Sequence, residues 1–133
     1  MELAPVVIER LVETARRAQA MAYAPYSNFP VGAAVLADDG RIFPGCNVEN
    51  SSFGLTVCAE RNAVAAAVVA GARPTAVAVV ANGNGVAPCG ACRQVLAEFA
   101  AGMPVILAQP TGEVGQVVAL DALLPGAFVF GKP

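Results

Sequence analysis

The sequence predicts an α/β fold, a three-layer α/β/α sandwich around a mixed five-stranded sheet. Two observations carry this. Strand-like and helix-like stretches follow one another in the order α-β-β-α-β-α-β-β, the pattern that sandwiches a mixed sheet between helices. One strand-like stretch, Thr75 to Ala81, is β-branched and apolar throughout, as a strand covered on both faces must be. The 133 residues suffice for one domain with a proper core. Residues 1–133 read as a single domain, without internal repeat, linker or low-complexity segment.

The elements follow in chain order. Residues 6–22 place Ile8, Leu11, Val12, Ala15, Ala18 and Ala22 at helical spacing, with Glu9, Glu13, Arg16 and Arg17 on the opposite face. Pro25 stops this helix. Val31 to Leu36 and Arg41 to Val48 form a β-hairpin around Asp38-Asp39-Gly40. Asn50 to Val57 is polar loop. Cys58 to Ala70 is an Ala-rich helix ending at Gly71, and Thr75 to Ala81 is the buried strand. Cys89 to Ala101 is a helix closed by Gly102, Val105 to Ala108 and Val114 to Val118 are short strands, and Asp121 to Leu124 is one helical turn before Pro125.

Composition narrows the function. The chain is 56% hydrophobic with formal net charge −2 and a pI near 5.0, so it is globular rather than disordered. No uninterrupted apolar run reaches the ~18–20 residues a membrane span needs. The N-terminus carries Glu2, Glu9 and Glu13 and no signal-peptide pattern. A soluble, cytoplasmic protein with no membrane partner is expected. Lysines and arginines are scattered rather than clustered, which excludes the basic stripe of a nucleic-acid binder. The implied partner is small and nearly neutral.

The chemistry lies in two short motifs, Cys58-Ala59-Glu60 and Pro88-Cys89-Gly90-Ala91-Cys92. There are four cysteines and no histidine, so Ser-His and Cys-His nucleophile schemes are unavailable and zinc must be held by thiolate or carboxylate. Cys58, Cys89 and Cys92 supply three ligands, and a catalytic zinc keeps its fourth position for water. Cys89 and Cys92, at i and i+3, share a face in a helix's first turn, and Cys58 opens another helix. The N–H groups there favour thiolates. Three thiolates on Zn²⁺ leave a charge of about −1. Arg61 and Arg93 are candidates to offset it by donating hydrogen bonds to sulfur. Glu60, two residues from a ligand, is the candidate proton shuttle. Cys46 has no paired cysteine nearby and reads as a small buried residue.

Five segments together resemble cytidine deaminase. They are Ala24 to Ala33 (APYSNFPVGA), Gly45 to Asn50 (GCNVEN), Cys58 to Arg61 (CAER), Pro88 to Gln94 (PCGACRQ) and Leu123 to Phe128 (LLPGAF). The resemblance spans roughly residues 10 to 128 and is to the small, three-cysteine zinc form of the family, which is homotetrameric. It implies one zinc per subunit on Cys58, Cys89 and Cys92, and Glu60 as catalytic proton carrier to pyrimidine N3 and then to the departing amine. It implies hydrolysis of cytidine and deoxycytidine to uridine and deoxyuridine with release of ammonia, in pyrimidine salvage. Among substrate contacts it implies Phe29 on the pyrimidine ring, Asn47 and Glu49 on the ribose 3′-hydroxyl, Phe128 reaching a neighbouring subunit's site, and Arg61 bonding zinc-bound sulfur. Phe53 departs from the pattern: the family often carries Tyr there, and a phenyl ring has no hydroxyl to offer the sugar 5′ end. Three other readings stay open. A deaminase of a nucleoside-like antibiotic such as blasticidin S shares the zinc motifs. A non-catalytic zinc module would add Cys46 as fourth ligand. A thiol–disulfide protein would use Cys89-x-x-Cys92.

Overall fold

Alternation along three central strands divides the buried side chains into two cores. In the computed structural model, which describes residues 2–131, strand β1 (Val31–Ala37) sends Ala33 and Val35 to one face and Ala34 to the other. Strand β3 (Pro74–Ala81) splits Val77 and Val79 from Ala78 and Val80, and β4 (Pro104–Ala108) splits Val105 and Leu107 from Ile106 and Ala108. A strand's period of two makes this division. On one face lies helix α1 (Pro5–Gln19), packing Leu11, Val12 and Ala15. On the other lie α2 (Ala59–Val69), α3 (Gly90–Ala97) and the short α4 (Leu120–Leu123), contributing Ala63, Ala67, Leu96 and Leu120. This is the three-layer α/β/α sandwich the sequence predicts.

The sheet is completed by β2 (Ile42–Cys46) and β5 (Gln116–Ala119) and runs in the order β2-β1-β3-β4-β5. Among the five described strands only β3 and β4 pair in parallel, and α3 joins them as a crossover. The other pairs are antiparallel. Among the described residues no helix is long and apolar enough to cross a membrane.

Three elements end two or more residues before the sequence predicts. Helix α1 ends at Gln19, before Ala22, because the backbone of Tyr23 is claimed elsewhere: its N–H donates to Asn47 O, and its carbonyl accepts from Glu49 N–H. Strand β2 stops at Cys46, and Val48 instead bridges Tyr23 on one side and Val57 on the other. Helix α3 ends at Ala97 rather than Ala101. The chain tightens through Phe99 N–H to Leu96 O and Met103 N–H to Ala100 O, which returns it to the start of β4. Gly102 therefore closes no helix. Gly71, by contrast, takes φ +83°. Its N–H bonds Val68 O while Ala72 N–H bonds Ala67 O, a Schellman end for α2. The segment expected to be loop holds one 3₁₀ turn, Phe53–Leu55.

Candidate metal centre and adjoining cavity

At one end of the sheet, β1 begins beside the end of β3, with Val31 opposite Ala81, and β2 ends opposite Gly32. Helices α2 and α3 both start at this end. Cys58 is the N-cap residue of α2 and Cys89 that of α3, and neither uses its side chain as a cap. Their thiols are free for other partners, and the unpaired N–H groups of both first turns raise the local positive potential.

The three sulfurs come together. Cys58 Sγ is 3.9 Å from Cys89 Sγ, which is 3.5 Å from Cys92 Sγ. All three lie within 4.8 Å of one another, the one such group of metal-ligating side chains among the described residues. A tetrahedral zinc with Zn–S bonds of about 2.3 Å requires sulfur separations of about 3.8 Å. The cluster therefore has the dimensions of a zinc site, and thiolate is the donor that soft metal sites select. Cys46 lies outside the group, and its carbonyl accepts a 2.8 Å bond from Asn62 Nδ2 on α2.

The cluster is polarised before any metal enters. A hydrogen bond from Cys92 draws the Cys58 thiol down to about 5, with burial opposing and Arg61 assisting. Cys92 is pushed well above the ordinary thiol range, first by that bond to Cys58, then by burial and the Glu60 charge. Arg61 NH2 stands 3.4 Å from Cys58 Sγ, and its Nε is buried with no partner among the described residues. Arg93 does not join the cluster. Its Nε donates to Pro88 O at 2.8 Å and its NH1 to Leu123 O at 2.7 Å, so it braces the approach to α3 against α4. The expectation that Arg93 bonds sulfur is corrected: one step along a helix from Cys92 turns the side chain away, whereas Arg61, three steps from Cys58, shares its face.

Glu60 is 4% exposed, in the first turn of α2. Burial pushes its carboxyl up to about 7, the Cys58 thiolate adds to this, and Arg61 opposes it. It faces a cavity of about 270 Å³ that Cys58, Cys89, Phe29, Val31, Asn47 and Glu49 also line. Five of the residues singled out from the sequence thus share one space with Phe29.

The wall opposite the sulfurs is held by side chain-to-backbone bonds. Asn47 is buried; its Oδ1 accepts from Val31 N–H at 2.9 Å and its Nδ2 donates to Phe29 O at 3.0 Å. Asn47 and Glu49 lie beyond the end of β2, yet both reach the cavity because the chain stays extended through Val48. Glu49 Oε1 accepts from Tyr26 N–H at 2.9 Å and Ser27 N–H at 3.1 Å, and Oε2 accepts from the Ser27 hydroxyl. The Ser27 hydroxyl, then the backbone N–H groups, hold this carboxyl below its usual range, with burial opposing. A second space of about 240 Å³ adjoins, lined by Tyr26, Ser27, Glu49, Phe53 and Thr56. Phe53 packs edge-on against Tyr26 at 5.8 Å, and the Tyr26 hydroxyl pairs with Ser51 Oγ at 2.7 Å.

Phe128 does not line the cavity. It is 71% exposed, and its carbonyl accepts from Gln94 Nε2 at 3.1 Å. Sequence reading missed Ser27, Thr56, Val86 and Ala87, which also line it. Ser27 alone had a signal, its place two residues before Phe29.

A sheet between helices, with a cysteine triad at two helix starts and a buried carboxyl beside it, has the parts of a catalytic zinc site. Comparison with known proteins makes the class specific. The description "Cytidine and deoxycytidylate deaminase zinc-binding region" matches residues 6–108. A protein of Sporosarcina psychrophila named cytidine deaminase is 52% identical over 124 residues, covering 91% of this chain and 90% of its own. The crystal structure of cytidine deaminase from Burkholderia pseudomallei superposes with a TM-score of 0.84 at 50% identity, covering 90% of this chain and 98% of that one. That from Mycobacterium tuberculosis gives 0.77 at 44% identity, covering 91% and 96%. The chain belongs to the cytidine and deoxycytidylate deaminase family, and zinc is its cofactor.

Proposed function

We propose that this protein hydrolyses the 4-amino group of cytidine and deoxycytidine, giving uridine or deoxyuridine and ammonia. One observation carries the reading: Glu60, two cysteines of the triad and the Phe29, Asn47 and Glu49 wall line a single cavity. Similarity to proteins named cytidine deaminase supports the choice of base. Zinc on Cys58, Cys89 and Cys92 supplies Lewis-acid activation of water. Glu60 does the proton work. It takes a proton from the attacking water and gives it to N3 of the ring, making C4 electrophilic. As water oxygen bonds to C4, Glu60 takes the second proton and delivers it to the exocyclic amine. The C4–N bond breaks and ammonia leaves. Glu60 is buried and lines the same cavity as two of the sulfurs, which places its carboxyl to give and take protons there.

Phe29 packs against the pyrimidine, and Asn47 and Glu49 bind the ribose 3′-hydroxyl. Glu49 stays a carboxylate, which welcomes a hydroxyl and repels a phosphate. Nucleosides are therefore preferred to nucleotides. Arg61 offsets the charge of the thiolates. Residues 1–133 act as one catalytic domain within a homotetramer, each Phe128 completing a neighbour's site. The exposed Tyr23, Phe53, Leu55 and Phe128 rings and side chains support this assembly. The setting is cytoplasmic pyrimidine salvage.

The test is to incubate zinc-loaded protein with cytidine, deoxycytidine and CMP, following ammonia release and the uridine spectrum. Stoichiometric ammonia from both nucleosides, with CMP much slower, is expected. No turnover of cytidine defeats the reading, and equal turnover of CMP defeats the nucleoside preference.

A further inference from the structure

We propose that Ser27 is a positioning residue, whose single hydroxyl ties the carboxylate of Glu49 to the aromatic wall at Phe29 and so sets nucleoside affinity without touching the hydrolytic step. This rests on the reading of Phe29 and Glu49 as nucleoside contacts. Ser27 Oγ donates to Glu49 Oε2 and at the same time accepts from Phe29 N–H at 3.0 Å. A hydroxyl has one proton and two lone pairs, so both bonds are satisfied together. The carbonyl of Phe29 is taken by Asn47 Nδ2, so both backbone polar groups of Phe29 are fixed by residues on the sugar side of the cavity.

The backbone has been bent to make this link. Asn28, between Ser27 and Phe29, has φ +54°, the left-handed region, and is the one non-glycine residue there among those described. Asn tolerates that region better than most residues do. The bend lets the Phe29 amide fold back on the Ser27 hydroxyl, a local turn of the Ser/Thr type. Ser27 itself is exposed and belongs to neither core. Its function is therefore not packing. A glutamate on a surface otherwise samples several rotamers, and ordering it costs free energy at the moment of binding. Three donors from Tyr26 and Ser27 meet that cost in advance. None of the Ser27 bonds reaches α2 or α3, where Glu60 and the three thiols sit. Binding and chemistry should therefore separate.

The experiment is steady-state kinetics on cytidine with zinc-loaded wild type, Ser27→Ala, Ser27→Thr, Glu49→Ala and the Ser27→Ala/Glu49→Ala double variant, each checked for zinc content and melting temperature. Ser27→Ala is expected to raise KM about tenfold, the scale of one hydrogen bond to a charged group, with kcat within about twofold. Ser27→Thr restores KM to within about threefold. In the Glu49→Ala background, Ser27→Ala lowers kcat/KM by less than about threefold, because its main partner is gone. Four results overturn the proposal: an unchanged KM, a loss confined to kcat, multiplicative effects in the double variant, or a Ser27→Ala protein that loses its fold or zinc. Wild type that releases no ammonia from cytidine defeats the proposed activity instead, and is read in the same assay.

Discussion

The two walls of the cavity are built by different means. The sulfur wall is made of helix starts: Cys58, Glu60, Cys89 and Cys92 lie within the first turns of α2 and α3, whose other faces are packed into a core. The opposite wall is made of connecting chain, residues 26–29 and 47–49, held by hydrogen bonds between side chains and backbone. The first wall holds its geometry through burial and helix regularity. The second holds through a few replaceable bonds. Substitutions should therefore abolish chemistry at one wall and loosen binding at the other.

The largest effect is expected from Cys89→Ala. Removing one sulfur of the triad should release zinc and drop deamination to background, while the fold survives because Cys89 is exposed. Metal analysis with circular dichroism checks both; a zinc-loaded, active variant would place the ligand set elsewhere. Next is Asn47→Ala, which leaves the Val31 N–H and the Phe29 carbonyl unpaired in a part-buried setting. A stability loss of about 2–4 kcal/mol is expected, measured by denaturant unfolding, with a rise in KM larger than any fall in kcat.

A third prediction concerns pH in protein stripped of zinc by a chelator. Glu60 titrates near 4.5 when unfolded and near 7 in the fold. The folded state thus binds the extra proton between those values, and its stability falls as pH rises through them. Against Glu60→Gln as reference, wild type should lose on the order of 3 kcal/mol between pH 4.5 and 7. Unfolding curves at both pH values show it, and parallel behaviour of the two proteins would contradict the burial of a charge at Glu60. Glu49 has the opposite sign. Its folded pKa is depressed, so it remains a carboxylate across the neutral range, and KM for cytidine should be flat from pH 8 down to about 5. The smallest effect belongs to Cys46→Ser, outside the sulfur cluster. Zinc stoichiometry should stay at one and stability should move by about 1 kcal/mol or less.

The same contrast governs what was legible in the amino-acid sequence. The sulfur wall is written locally: Cys89 and Cys92 are three residues apart on one helix, and Cys58 and Glu60 two apart on another, so residue type and spacing suffice. Arg61 was a candidate beside Arg93 until the family resemblance singled it out; in the structure, three steps from Cys58 keep it on that face. Arg93 was misread because adjacency in sequence is not adjacency around a helix. The second wall depends on chain returning from far away. Glu49 meets Tyr26 and Ser27 only because Val48 bridges Tyr23 and Val57. No periodicity announces such a meeting, so Phe29, Asn47 and Glu49 came from family resemblance and Thr56, Val86 and Ala87 were not seen at all. The helix ends were overrun for a related reason. Ala20 to Ala22, Glu98, Ala100 and Ala101 are good helix formers, but their backbone must turn to reach the next strand.

The central claim is that a carboxylate beside a thiolate-held zinc carries the protons of hydrolysis. Glu60→Gln keeps the shape of the side chain and removes its proton chemistry. At equal zinc content per chain, cytidine turnover by this variant should fall at least ~10²–10⁴-fold below wild type. Near wild-type release of ammonia by the zinc-loaded variant would contradict the account.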